Sequence, residues 1–431
     1  MGKVNYRKKI LIIVLLALMP FSIAGCWGRR ETQQMNLSTA LGFDYLAVDG
    51  KPQFRLTILS AKPPQGGGGM GSSSDITDPQ KSHTNHVISI NGDTIWDAGR
   101  NLDLRSSRKL FIGQVVVVVI GEETARHGLG QIMDFLLRHQ EIRERTWIVI
   151  CKGMASDFLN SQPEYEPSLS AEIDGILKNA RTNIANVKGT DLFNVSYALL
   201  TPGKETVIPY MTIFTPREPS SPIIQNQAGS TPNPSSGTQG GSEAETENQP
   251  QRKTFEAIGF ALFRGDKMQG LMNEEESQGL LFLNDQVKTG AITIAVDDST
   301  KNVSIRIDNS KTKIEPIFTD SGIEFKVVIK ASGILVEESD ALVKIAPENW
   351  QKVENLVNQE IEKRCLEAVK KSQDLYSDVM GFGDKIHRTN PGVWEEIEYN
   401  WEQIYPTVTV TVEAEFKLKQ TGVISDPIEV R

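Results

Sequence analysis

Residues 408–418 read VTVTVEAEFKL. Val408, Val410, Val412, Ala414, Phe416 and Leu418 alternate with Thr409, Thr411, Glu413, Glu415 and Lys417. Strand side chains point to opposite faces in turn, so this period of two predicts a long, half-buried antiparallel strand. The same period recurs upstream in Val303, Ile305 and Ile307, and again in Ile323, Phe325, Val327, Ile329 and Ala331. Between these strands and the last one, residues 347–380 carry a helical stripe: Trp350, Val353, Val357, Ile361, Ala368 and Val369. Pro347 suits the first helical turn. Gly381 and Gly383 suit the exit, since glycine tolerates left-handed geometry. A sheet with one face covered by a long helix is an α+β arrangement. The expectation for residues 301–431 is therefore an antiparallel sheet packed on one long helix.

Moving toward the N-terminus, the pattern changes. Val115 to Ile120 is an unbroken apolar run of β-branched residues, suited to a strand buried on both faces. Glu122 and Glu123 open a helix, where acids favour the positive end of the dipole, and its apolar positions run on to Leu136 and Leu137. Residues 147–151 form another apolar strand, and helices are expected over 93–106, 172–183 and 191–200. Residues 26–200 thus read as an α/β domain. A middle domain at 201–300 holds strand-like runs at 206–214 and 255–263. It also holds a hairpin turning at Arg264-Gly265-Asp266-Lys267 and a helix over 273–283 that opens on Glu274, Glu275 and Glu276. The Arg-Gly-Asp string is explained by the turn. Two low-complexity stretches interrupt the chain. Residues 62–80 are rich in Gly, Ser and Pro, and 217–253 have almost nothing to bury, which predicts flexible insertions. The fold class is α+β and multidomain, with three mixed α/β domains expected.

The chain has 431 residues and a formal charge of −9. Lys3, Arg7, Lys8 and Lys9 precede an apolar run over 10–21, followed by Ile23-Ala24-Gly25-Cys26. Positive, apolar and small-residue regions in that order describe an export signal, too short to span a bilayer as a stable helix. The residues around Cys26 resemble a bacterial lipobox, which implies diacylglycerol on the Cys26 sulfur and cleavage after Gly25. Removing residues 1–25, with four cations and no acid, leaves 406 residues at −13. That acidity excludes a phosphate-tracking nucleic-acid binder and disfavours attraction of the whole surface to anionic headgroups. Three cysteines exclude a disulfide-stapled scaffold. Cys151 and Cys365 each read as a small buried hydrophobe.

Catalytic signatures are missing. The sequence contains no His-Glu-x-x-His, Gly-x-Ser-x-Gly, Cys-x-x-Cys or strand-linked Gly-x-Gly-x-x-Gly. His83 and His86 are spaced for a weak metal pair or simply end a polar loop. His127, His139 and His387 fall at polar positions. No cofactor or metal is expected, and the chain is read as a non-enzyme.

Three stretches together resemble one family. They are the lipobox leading into Cys26-Trp27-Gly28-Arg29-Arg30-Glu31; Arg105-Ser106-Ser107-Arg108-Lys109-Leu110-Phe111 with the Val-rich strand and Gly121-Glu122-Glu123; and Gly381-Phe382-Gly383-Asp384 through Trp394 and Trp401 to Tyr405-Pro406 and the final strand. They resemble the Ger(x)C family, the C subunits of spore nutrient germinant receptors. The resemblance implies a lipoprotein on the outer face of the spore inner membrane, partnered by polytopic A-type and B-type subunits and serving nutrient-triggered germination through assembly or signalling. The alternative is a substrate-binding lipoprotein of a membrane transporter, which requires two similar lobes. No such repeat is visible. For partner contact the candidates are Trp394 and Trp401, seven residues apart, and Phe382 in the glycine loop. They form either an aromatic patch on the surface or packing against the C-terminal sheet.

Overall fold

The computed structural model describes residues 35–48, 50–61, 85–180, 187–214, 254–296, 302–320, 322–338 and 350–421, with Tyr6 and Ile10 standing apart before them. The rest of residues 1–34, where an export signal and Cys26 are expected, both low-complexity stretches, His83 and Pro347 lie outside the described residues.

The first part of the chain folds as β1 (Met35–Val48), β2 (Lys51–Ala61), β3 (Asn85–Gly92), α1 (Ile95–Asp103), β4 (Lys109–Phe111) and β5 (Val117–Gly121). It continues through α2 (Glu122–His127), α3 (Gly130–Arg138), β6 (Trp147–Cys151), α4 (Ala155–Leu159), α5 (Leu169–Asn179), β7 (Thr190–Asp191) and α6 (Leu192–Leu200). The strands β8 (Val207–Phe214), β9 (Thr254–Arg264) and β10 (Lys267–Met272) follow. All ten strands belong to one sheet, ordered β10-β9-β8-β6-β5-β1-β2-β3, with β4 beside β1 and β7 beside β6. Its centre, β1-β5-β6-β8, is parallel, and the flanks β2-β3 and β9-β10 are antiparallel.

The apolar run at β5 is buried on both sides, as its composition predicts. Val118 and Ile120 face a core completed by α1, α2, α3 and α6, while Val117 and Val119 face one completed by α4 and α5. The caps are local. Thr94 and Asp191 side chains accept from Asp97 and Asn194 backbone N–H groups and start α1 and α6. The helix expected from Glu122 to Leu137 is two helices. Gly128 adopts φ 140°, outside the range of a residue with a Cβ. The N–H groups that would continue the helix go instead to Asp266: Leu129 to its carbonyl at 2.8 Å and Gly130 to its carboxylate at 3.1 Å. The Arg264–Lys267 turn is thereby docked on the helix break.

Beyond β10, α7 (Glu274–Leu283) starts at a reciprocal cap between Asn273 and Glu276. The second sheet is built from β11 (Gly290–Ala295), β12 (Asn302–Thr319) and β13 (Gly322–Glu338). Then come α8 (Trp350–Asp374), α9 (Phe382–Thr389), α10 (Pro391–Ile397), a 3₁₀ turn (Glu398–Asn400), α11 (Trp401–Ile404), a second 3₁₀ turn (Tyr405–Thr407) and β14 (Thr409–Thr421). The strand order is β11-β12-β13-β14. The first three strands form the expected antiparallel meander, but β14 runs parallel to β13. A strand that returns through a long helical crossover re-enters the sheet in the same direction, whereas the antiparallel expectation required a hairpin.

The α8 stripe is borne out at Val353, Val357, Ile361, Ala368 and Val369, all buried, with Trp350 half-buried. Cys365 is also buried, and both described cysteines are free thiols, as their apolar surroundings predict. Helix α7 crosses α8 at Gly279, where an added Cβ would lie 2.1 Å from the Arg364 carbonyl oxygen. A polar row on α8 meets the outer edge of β14. Glu362, Asn358 and Glu354 accept from the backbone N–H of Ala414 (2.9 Å), Phe416 (2.6 Å) and Leu418 (2.8 Å). Four residues of helix advance about 6 Å and two of strand almost 7 Å, so the two periods stay in step over these rungs. Among the described residues, 201–300 form no sheet of their own: β8, β9 and β10 extend the large sheet and β11 edges the small one.

Candidate functional site

The glycine-aromatic stretch singled out in the sequence forms a junction between the two sheets. The chain leaves α8 through Tyr376, a non-glycine residue at φ 52°, and Gly381 at φ 71°. Asp378 lies between them, buried at 3 % exposure. Its Oδ1 accepts from Phe382 N at 2.9 Å, and its Oδ2 accepts from Gly383 N at 2.8 Å and Trp401 Nε1 at 3.1 Å. Two of these donors are first-turn N–H groups of α9, which have no partner within the helix. Burial pushes the Asp378 carboxyl up to about 6, against the lowering effect of these same hydrogen bonds.

The rings close around this carboxylate. Phe382 stacks on Phe325 of β13 at 4.3 Å between centroids. Trp394 and Trp401 meet edge to face at 5.8 Å, and Trp401 lies 6.0 Å from Tyr405. The Tyr405 hydroxyl is hydrogen-bonded to Ser372 on α8.

On the facing side, the loop before β8 presents Gly203. Its carbonyl accepts from Asp384 N at 2.8 Å, and Glu205 N donates to the Asp378 carbonyl at 2.9 Å. The Ser377 hydroxyl donates to the carbonyl of Phe263 on β9. The backbones touch so closely that a Cβ on Gly203 would fall 2.5 Å from the Trp394 ring and 2.6 Å from Gly383 C.

Beside this contact opens a cleft of about 500 Å³, whose wall includes Glu205, Arg264, Asp378, Trp394, Trp401 and Glu402. The charged groups Asp378, Glu205, Arg264 and Glu402 of this wall have internal partners. Arg264 pairs with Glu402 at 2.9 Å, and Glu205 accepts from Gly265 N at 2.8 Å. Burial raises the Glu205 carboxyl to about 7, with the negative Asp378 and Glu402 adding to the shift.

Asp378 and Glu205 thus hold a proton more tightly folded than their ordinary values of 3.8 and 4.5 allow. The folded chain binds more protons between about pH 4 and pH 7 than the unfolded chain, so this contribution to stability is full below about 4 and disappears as pH rises through 6 and 7. The urea midpoint is expected to fall from pH 5 to pH 8, and Glu205→Gln should flatten the upper half of that decline. An unaltered profile in the variant would remove Glu205 from this role.

The structure brings Phe382, Trp394 and Trp401 together, but inside: they are 0 %, 2 % and 6 % exposed. A surface patch of these three rings is not formed. The spacing of seven does align the tryptophans, but α10 ends at Ile397 and the 3₁₀ turn folds both rings onto the sheet core. Asp378 and Gly203 were not singled out in the sequence. An acid three residues ahead of Gly-Phe-Gly is a capping signal for Asp378. Nothing local to Gly203 announces a partner so distant in sequence. Cys26 lies outside the described residues.

At the carboxyl ends of β1 and β5, a common ligand position in open α/β sheets, the chain fills the space itself. Asp44 accepts from Ala155 N (2.7 Å) and Ser156 N (2.9 Å), and Glu122 accepts from the Tyr210 hydroxyl at 2.5 Å. No three His, Cys, Asp or Glu residues among those described are grouped to hold a metal ion.

Two family models match the chain in succession, and their boundary falls between β8 and β9 within the large sheet. The family model for the spore germination protein N-terminal domain matches residues 28–213, and the model described as spore germination B3/GerAC like, C-terminal, matches 258–422. Spore germination protein KC of Bacillus subtilis (strain 168) is 25 % identical over 430 residues, covering 98 % of both chains. Spore germination protein B3 of the same organism is 20 % identical, covering 98 % of this chain and 99 % of its own. The crystal structure of the GerBC protein shares the fold with a TM-score of 0.52 at 17 % identity, covering 89 % of this chain and 99 % of that one. The class is thus a mixed α/β spore germination protein matched in both halves. The chain belongs to the Ger(x)C family of spore germination proteins.

Proposed function

We propose that this chain is a lipid-anchored, non-enzymatic subunit of a spore nutrient germinant receptor, working through assembly or signalling with polytopic A-type and B-type membrane subunits. The observation that carries the reading is the match of both family models, together with full-length similarity to relatives named as spore germination proteins. The lipobox resemblance supports an export signal cleaved after Gly25 and an anchor at Cys26, and on this reading the chain sits on the outer face of the spore inner membrane. The internal partners of Asp378, Glu205 and Glu402 in the cleft, and of Asp44 and Glu122 at the β1–β5 end, favour a scaffold over a catalyst.

The test uses a strain lacking the gene, complemented with the wild-type chain or with Cys26→Ala. Wild type should restore germination by nutrients. The variant should fail to do so and should leave the membrane fraction, while a nutrient-independent trigger works equally in both. Membrane retention of the cleaved variant would overturn the anchor. Normal nutrient germination of the uncomplemented strain under every nutrient tried would overturn the receptor role.

A further inference from the structure

The Arg105–Lys109 part of the motif is not used by the junction or by the cores described above, whereas Leu110 packs against the core beside β1. It lies in the crossover from β3 to β4. Because β3 runs parallel to β1 through two antiparallel steps, α1 carries the chain back to the end of the sheet where β1 begins. There β4 pairs in parallel with β1, Lys109 opposite Met35.

Leu104 is 81 % exposed at the end of α1. Arg105, Arg108 and Lys109 are exposed beside it, and none makes an ion pair with a described residue. Ser106 fixes the loop, its hydroxyl donating to the Arg108 carbonyl at 2.6 Å and accepting from Arg108 N at 3.2 Å. Asp103 is the one acid of residues 103–109, so the segment is net positive in a chain whose mature charge is negative. The neighbouring loop ahead of β6 is balanced, with Arg143 and Arg145 against Glu141 and Glu144.

Met35 is also the first strand residue after Cys26. Nine peptide steps reach about 30 Å at most, and the tether includes Arg29 and Arg30. The end of the sheet that carries the exposed leucine and the cations without an acidic partner among the described residues is therefore the end tied closest to the anchor.

On the anchored reading above, we infer that the 104–109 loop is a second membrane contact, in which Arg105, Arg108 and Lys109 bind anionic phospholipid headgroups and Leu104 enters the boundary with the acyl chains. It orients the protein with the start of β1 toward the bilayer and the carboxyl ends of the parallel strands away from it. Basic residues near an anionic surface each strengthen attachment by a factor of about five, and an apolar side chain among them adds burial that headgroup attraction alone lacks.

The test uses the full lipid-bearing chain on vesicles of phosphatidylcholine, with or without phosphatidylglycerol, both containing lipids brominated in the acyl chains. Cys151 and Cys365 are buried, so Leu104→Cys supplies an accessible thiol for a fluorescent label. Glu123→Cys, 86 % exposed at the opposite end of β5, is the control. Label at position 104 should be quenched on phosphatidylglycerol vesicles and label at 123 should not. Adding R105E, R108E and K109E should reduce the quenching by about tenfold or more. A chain that floats with the vesicles but shows position 104 unquenched overturns the loop contact and leaves the anchor standing. A chain that does not float overturns both. Shielding of position 104 in native membranes but not on protein-free vesicles would assign the loop to an acidic segment of a partner protein and overturn the headgroup contact.

Discussion

Asp378→Ala is expected to destabilise the chain by about 3–5 kcal/mol, read as a lower urea midpoint with the tryptophan signals of the junction lost in the same transition. Three donors converge on this carboxylate, which is 3 % exposed at the cleft wall, and removing it leaves Phe382 N, Gly383 N and Trp401 Nε1 without their acceptor. Each orphaned buried donor costs roughly 1–3 kcal/mol. Against that stands relief from burying a charge, which is what holds the Asp378 carboxyl at about 6. The first effect wins, because deleting one member of a buried polar set removes its partners' compensation all at once. Asp378→Asn separates charge from geometry. Its amide oxygen can replace Oδ1, but the NH₂ would then face Gly383 N and Trp401 Nε1, both donors, so it should recover only part of the loss. Full stability of Asp378→Ala would show that water satisfies these donors and that the junction is not closed.

Gly383→Ala is the second large effect, about 3 kcal/mol or more. The site has no left-handed backbone, and alanine favours helix, so propensity alone would make the change stabilising. Sterics oppose it: the new Cβ would lie 2.6 Å from Trp401 Nε1, 2.7 Å from Gly203 Cα and 2.8 Å from the Gly203 oxygen. One wall is backbone and the other is an indole held by Asp378, so neither yields cheaply, and overpacking of this kind costs about 1–3 kcal/mol even where neighbours can shift. Gly392→Ala in the adjoining α10 has nothing within 4 Å of its Cβ, so with propensity alone acting it should leave the midpoint unchanged or raise it and serves as the control. Equal unfolding midpoints for the two variants would sink the close-approach argument. Together these variants locate the most identifying stretch of the sequence in the joint between its sheets.

Much of the fold is legible in local pattern. Alternation at 303–307, 323–331 and 408–418, the apolar run at β5 and the stripe of α8 report burial directly, though α8 stops at Asp374, short of Met380, and Gly381 opens α9 instead of closing α8. What local pattern does not carry is direction and distance. The parallel sense of β14 depends on the length and helical content of the crossover before it. The break at Gly128 depends on Asp266, far away in sequence, taking the N–H groups that helix continuation required. Phe382, Trp394 and Trp401 were legible as a group, but not which way they face, because a tryptophan seam reads alike whether it meets a partner or its own sheet. Net charge misled in a similar way: −9 over the whole chain conceals the three cations of the 104–109 loop, which pair with no acid among the described residues.

The polar row of α8 along β14 has a consequence for how these molecules behave when crowded. A terminal strand with free N–H groups is a template for another chain's strand. Proteins tethered to a common surface meet at high local concentration, the setting in which strand-to-strand polymerisation is most favoured. Glu354, Asn358 and Glu362 occupy the donors of Ala414, Phe416 and Leu418, so head-to-tail growth through β14 would first have to peel a helix away. On the anchored reading proposed above, neighbouring copies would meet with this edge already occupied, and their sheets would not fuse through it.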